Sequence, residues 1–228
     1  MKKFLLAAAF SFLAVAGMNA QIVSSRSVNI KTTEVKKPKT TTWVLRVGMN
    51  MGKFVGDDAD DLFDASKIGY DFSIAFQKPI TDIGLFWGMD FGLGTRAWSY
   101  EEDDYKDHML NHSFRWSPFM LGYKYDINDK FAVDAHIGAF VSVDYAGKIK
   151  AEETDYNGDT YKDEWNIGEY DDYYGDDWNR VDAGMTLGVG VWYDRFNLDF
   201  TWQRGFIAPV KDAKMASSNL MLRLGVAF

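Results

Sequence analysis

The chain has 228 residues, 47% of them hydrophobic and 16% aromatic, with a formal net charge of -8 and no cysteine. That length gives one domain of ordinary size. The lack of cysteine excludes disulfides, thiolate zinc sites, cysteine nucleophiles and a lipid anchor on Cys, and the acidic balance argues against nucleic acid as a partner.

Lys2 and Lys3 precede an apolar run over 4–17, and Ala20 offers a small residue before Gln21. The run is too short to span a bilayer as a mature helix, so the pattern predicts export by a cleaved signal peptide over 1–20. Residues 21–41 are polar, rich in Ser, Thr and Lys and without an apolar period, and are expected to form a flexible periplasmic lead-in. Beyond Ala20 no apolar run approaches the roughly 18 residues of a membrane helix.

From Thr42 onward the apolar period is two. Trp43, Leu45, Val47, Met49 and Met51 alternate with Val44, Arg46, Gly48 and Asn50, as in a strand with two unlike faces. The same reading predicts eight strands, around residues 43–51, 68–77, 83–94, 118–125, 131–143, 181–191, 196–203 and 220–228. Tight turns at 79–82, 127–130 and 194–195 join them on one side, and long loops over 53–67, 101–110, 147–179 and 205–217 on the other. Alternation, even strand number and loop asymmetry agree on an all-β fold over 42–228: an eight-stranded antiparallel up-and-down transmembrane β-barrel.

One face of these strands is large and apolar; the other mixes charges, Ser, Thr and most of the strand glycines. A narrow eight-stranded barrel needs small residues inside beside large ones, so the mixed face lines the lumen and the apolar face meets lipid. The lumen then holds Arg46, Arg96, Lys124, Arg180 and Arg223 with Asp71, Asp90, Asp134, Asp144, Asp182 and Asp199. Charges taken from bulk water must be paired or stay wet, which predicts a salt-bridged plug; the alternative is a narrow ion or solute path. Aromatic girdles are expected from Trp43, Phe76, Tyr125, Phe131, Tyr193, Phe196 and Phe228 at the short-turn ends, and from Tyr70, Tyr145 and Trp202 toward the other.

The Ala20–Gln21 junction, the 117–125 stretch SPFMLGYKY before a tight turn, and the ending 220–228, LMLRLGVAF, resemble the outer membrane β-barrel family of Bacteroidetes, including PorT-like proteins and small OmpA-like barrels. The resemblance spans about 42–228. It implies outer-membrane localisation and insertion by the assembly machinery, with Phe228 closing the final strand as the signal. It implies no shared catalytic residue, metal or cofactor.

Asp155, Asn157, Asp159 and Asp163 alternate like calcium ligands, but Thr160 and Asn166 stand where the EF-hand needs Gly and Glu. Asn157-Gly158 instead predicts a protruding hairpin with a type I′ turn. His108 and His112 lack a third ligand at motif spacing. His112-Ser113 resembles the His and Ser of lipid-modifying outer-membrane enzymes, yet no orienting acid is identifiable, and phosphate-loop, dinucleotide and zinc motifs are absent. Arg115 and Arg204 share parity with Phe119 and Trp202, on the lipid face near the long-loop rim, and are expected to bind lipopolysaccharide phosphates. The segment 147–179, acidic and rich in aromatics including Trp165 and Trp178, is the expected binding surface for an extracellular partner or a divalent cation. The function expected is a small non-enzymatic barrel with a structural, adhesion or accessory role; a channel and a lipid-modifying enzyme are the alternatives.

Overall fold

The structure is a computed structural model that describes residues 40–59, 65–102, 105–175 and 177–228. The expected signal peptide, nearly all of the lead-in, Asp60, Asp61, Asp64, Asp103, Asp104 and Asp176 lie outside the described residues. The strands are β1 (Thr42–Gly56), β2 (Ala65–Pro79), β3 (Leu85–Glu102), β4 (Tyr105–Asp126), β5 (Phe131–Thr154), β6 (Thr160–Asn166), β7 (Val181–Tyr193), β8 (Phe196–Gly205) and β9 (Met215–Ala227). They pair antiparallel in the order β4-β3-β2-β1-β9-β8-β7-β5, and β4 pairs with β5 to close an eight-stranded ring. Closure leaves the ring without a free edge, the condition for a sheet to cross lipid. The seam joins the first and last strands, where Trp43 and Phe228 exchange backbone hydrogen bonds of 3.2 and 2.9 Å.

Packing is inverted relative to a water-soluble domain. Leu45, Val47, Phe72, Phe119, Ile137, Val189, Leu222 and Leu224 are exposed, whereas Arg46, Asp71, Asp90, Asp199 and Arg223 are buried. An exposed apolar belt with a polar interior is the arrangement lipid selects.

Two features depart from the sequence reading. The first is the height of one wall. β4 has 22 residues and β5 has 24, against 10 in β8, while a bilayer takes about 9–11 per strand. Residues 101–110, expected as loop, continue the β3–β4 ladder from Arg96↔Asn111 to Glu102↔Tyr105. Above the bilayer a strand has no lipid to face, so its outward positions turn polar and the alternation fades. The segment 147–179 likewise begins as strand: β5 runs on to Thr154 and returns as β6, which adds an outer strand to β5 alone. The hairpin is present, but its turn differs from the expected type. Gly158 N–H bonds the Asp155 carbonyl at 2.9 Å, and only Gly158 of the turn has positive φ, at 87°. A type I turn closed by a left-handed glycine results, because type I′ requires positive φ at both central residues.

The second departure is a bulge. From Trp116 to Phe119, β4 advances three residues while β5 advances two, and the β3–β4 register slips at the same level. Pro118 lies inside this interval and has no N–H for the ladder, which confines proline to such irregularities. The extra residue flips side-chain parity. Below it Met120 and Gly122 point inward; above it Ser113, Arg115 and Ser117 do. Arg115, expected on the lipid face, is therefore inside the barrel at 6% exposure.

Candidate functional site

The lumen is filled in three polar levels. Nearest the short turns, the Lys124 ammonium sits 3.5 Å from the centre of the Trp192 ring. The Trp192 indole N–H bonds Asp134, whose other oxygen lies 2.9 Å from His136 Nδ1. Val44, Ala132 and Trp192 pack as a small apolar floor, with Ala227 against it.

The middle level is a lattice of three arginines and three aspartates contributed by six strands. Arg46 reaches Asp90 at 3.1 Å and Asp199 at 3.7 Å. Arg115 holds Asp71 at 2.6 and 3.2 Å through both terminal nitrogens and Asp90 at 3.4 Å. Arg223 reaches Asp199 at 2.6 Å, Asp90 at 3.4 Å and Asp71 at 3.5 Å. Each carboxylate meets at least two guanidinium groups and the charges sum to zero, which offsets the desolvation of buried ions.

In the upper level Arg96 grips Asp144 with two bonds of 2.6 and 3.0 Å and reaches Asp182 at 3.2 Å. Asn111 and Ser113 add bonds to Asp144 of 2.9 and 2.6 Å. A cavity of about 20 Å³ lies in the lumen at this level, lined by Arg96, Arg115, Phe140, Ser142 and Asp182 among others. It has room for one or two waters.

Above these levels the mouth is closed by an apolar cap. Phe54 stacks on Trp98 at 4.2 Å, and Trp178 meets Phe54 at 6.3 Å and Tyr170 at 5.3 Å. Ala59, Met109, Ile149, Val210 and Met215 complete the cluster. A 3-10 turn (Ile167–Glu169) and a short helix, α1 (Tyr170–Tyr174), carry Tyr170 into it. Two latches tie α1 to the wall. Tyr170 donates to Asn111 Oδ1 at 2.7 Å. Asp107 accepts from Tyr173, and from Tyr105 at 3.0 Å. Burial pushes the Asp107 carboxyl above the ordinary carboxylate value, and the two tyrosine hydroxyls pull it partly back. Burial and the bond to Asp107 push the Tyr173 phenol up in turn.

Of the expected lumenal residues, Arg46, Asp71, Asp90, Asp199 and Arg223 meet in the middle lattice, Arg96 and Asp182 in the upper level, and Lys124 and Asp134 in the lower. Arg180 does not join them. It lies just before β7, exposed, with its guanidinium 3.4 Å from the Ile167 carbonyl, because strand parity loses meaning once the ladder ends. Arg115 and His136 belong to the lumenal network but were not assigned to it from sequence; for Arg115 the signal was Pro118 inside a strand.

In the surface segment, Trp178 is only 8% exposed and belongs to the cap. Trp165 packs against the same cluster and is partly buried. Apolar rings at the end of a polar lumen cover one another sooner than they await a partner, which corrects Trp178 as a surface-binding residue, while Trp165 keeps part of its ring at the surface. Asp155 is occupied in the turn, accepting from the backbone N–H of Asn157 at 2.8 Å and of Asp159 at 3.0 Å. Those N–H groups, Asp159 first, hold its carboxyl below the usual value. Asn157, Asp159 and Asp163 stay exposed, and Tyr156 at the tip is 97% exposed. Among the described residues no cluster of His, Asp and Glu is placed to hold a metal ion. His112 faces outward, bonded to the Tyr70 hydroxyl at 2.9 Å, while Ser113 points inward to Asp144, so the two cannot act as a base and nucleophile on one substrate.

The family model described as outer membrane protein beta-barrel domain matches residues 19–208. The chain belongs to this family. Its ring of antiparallel strands with an apolar outer belt is thereby an outer-membrane barrel. The chain is also similar, at low identity, to several solved structures. Ail, the attachment invasion locus protein of Yersinia pestis, is 13% identical over 82% of this chain and 98% of that one, with a TM-score of 0.39. Neisserial surface protein A is 16% identical over 82% and 97%, with a TM-score of 0.41. The outer membrane enzyme PagL is 15% identical over 79% and 98%, with a TM-score of 0.44. No curated protein sequence matches the chain.

Proposed function

We propose that this protein is exported by a cleaved signal peptide and serves as a small non-enzymatic barrel whose working surface is its extracellular end. The sealed axis is the observation that carries the reading. Among the described residues a neutral ion-pair lattice fills the middle of the lumen and an aromatic cap covers its mouth, which disfavours transport along the axis and leaves contact to the outer surface. The β5–β6 hairpin extends that surface beyond the ring. Its outer face carries the pairs Lys148–Glu164, Lys150–Glu164 and Lys162–Glu152. Its tip carries Asp155, Asn157 and Asp159 around the exposed Tyr156. Carboxylates beside an exposed ring suit a basic partner or a cation, in an adhesion, accessory or structural role.

The test shortens 153–161 to a two-residue turn and leaves the cap intact. The variant should keep its fold and lose whatever the native protein cross-links on whole cells. Unchanged cross-linked partners would overturn the assignment to the hairpin. Unitary conductance of the purified barrel in a planar bilayer would replace this reading with a channel.

A further inference from the structure

Most strand cations of the barrel have an anion or a ring: the four lumenal arginines are ion-paired, Lys124 lies on Trp192, and Lys148, Lys150 and Lys162 are bridged. On the outer wall Lys53, Lys78, Lys106 and Arg204 have no ion pair with a described residue, and of these Lys53 and Arg204 share one row. Lys53 of β1 is exposed and Arg204 of β8 half-buried, and neither has an ion pair or side-chain hydrogen bond with any described residue. Both point away from the lumen, with the parity of Met51 and Trp202.

The pairing register puts them in one row. Lys53 lies opposite Ser218 across β1–β9, and Arg204 lies opposite the same Ser218 across β8–β9. With strands about 4.8 Å apart, the two cations start from Cα atoms about 10 Å apart with the serine between them. The Trp202 indole N–H donates to Ser218 Oγ at 3.0 Å, which uses the hydroxyl as acceptor and leaves its hydrogen free to donate outward. Lys53, Ser218 and Arg204 thus form a row of three donors, two of them charged.

Depth identifies what they meet. Ten residues separate Trp43, at the short-turn border, from Lys53. At a rise of about 3.4 Å per residue and a tilt of about 40°, that is about 26 Å along the membrane normal, against an apolar band of about 25 Å. The row stands at the upper border of the apolar belt, where lipid headgroups begin.

We propose that Lys53, Ser218 and Arg204 form a binding site on the outer wall for the phosphate of a phosphorylated glycolipid in the outer leaflet. A phosphomonoester carries about 1.5 to 2 negative charges near neutral pH, matching two cations, whereas the phosphodiester of a common phospholipid carries about one. The guanidinium offers a bidentate fork, the ammonium a point charge and the serine a third bond. The site is independent of the hairpin.

The full barrel, folded in a zwitterionic detergent, is mixed with diphosphorylated lipid A, with its dephosphorylated form, or with phosphatidylglycerol, and adducts are read by native mass spectrometry. Native protein should retain diphosphorylated lipid A. Lys53→Gln combined with Arg204→Gln should weaken retention by about tenfold or more, and Ser218→Ala by less. Dephosphorylated lipid A should bind as poorly as it does to the double variant, and phosphatidylglycerol should be outcompeted. Heat-dependent gel mobility confirms folding, and either single substitution replaces the pair if the double variant does not fold. Equal binding by native protein and variants, or equal retention of dephosphorylated lipid A or phosphatidylglycerol, would overturn the site.

Discussion

Replacing Arg115 by leucine separates two descriptions of the fourth strand. If Arg115 faced lipid, as its parity with Phe119 implies, leucine would remove a charge that costs up to about 2–4 kcal/mol within the bilayer, and the barrel would gain stability. In the structure Arg115 is buried and holds both oxygens of Asp71, at 2.6 and 3.2 Å, while reaching Asp90 at 3.4 Å. Among the described residues, its loss leaves Asp71 with the 3.5 Å contact to Arg223 as its ion pair. It also leaves three carboxylates facing two guanidiniums in the lattice. Breaking a buried pair from one side costs about 3–5 kcal/mol, more than a hundredfold in the folding equilibrium. Adding Asp71→Asn should recover part of that loss by removing the stranded charge. Arg204→Leu, on the outer wall at the border, should change stability by about 1 kcal/mol or less. Reversible urea unfolding from lipid vesicles, followed by tryptophan fluorescence, measures all three. A neutral or stabilising Arg115→Leu would refute the bulge and the lattice together.

Protease added to intact cells should cut at the Asn157–Gly158 tip and spare the 127–130 turn; cleavage at the turn instead would invert the assigned orientation. Trp178→Ala removes a ring packed between Phe54 and Tyr170 and should cost the cap about 3–5 kcal/mol locally. Hydrogen exchange should then rise over 165–180 while the membrane strands keep their protection, and uniform protection would show that the cap does not depend on this ring. The Asp107 latch should weaken as pH rises. Its carboxyl is raised by burial in the folded cap, so the folded cap binds the proton more tightly than the open one. The contribution is complete below the unfolded value, about 4, and is lost as pH climbs through the folded value. Exchange at 170–174 should therefore quicken from acid toward neutral pH beyond the intrinsic rate, and Asp107→Asn should flatten that dependence.

Much of the architecture is legible in the chain because its causes are local. Alternation of Leu45, Val47 and Met49 with Arg46, Gly48 and Asn50 reports a strand with lipid on one side, whatever its neighbours are. Short turns at 127–130 and 194–195 alternating with long stretches report the up-and-down path. Even the lumenal pairing was partly visible, since an inward Arg46, Asp90 or Arg223 needs a counter-ion. Three things required neighbouring strands. The inward position of Arg115 depends on where Pro118 takes up an extra residue against both β3 and β5, and a period of two cannot reveal a phase change that belongs to the pairing. The height of the β4–β5 wall depends on a ladder that continues after lipid, and with it the alternation, has ended. The burial of Trp178 and Tyr170 depends on Phe54, Trp98 and Met109 arriving from three other strands at the same rim. Alternation is a property of one strand in its solvent, but counter-ion choice, register and the closing of a cavity are properties of strands far apart in sequence, set when the ring closes.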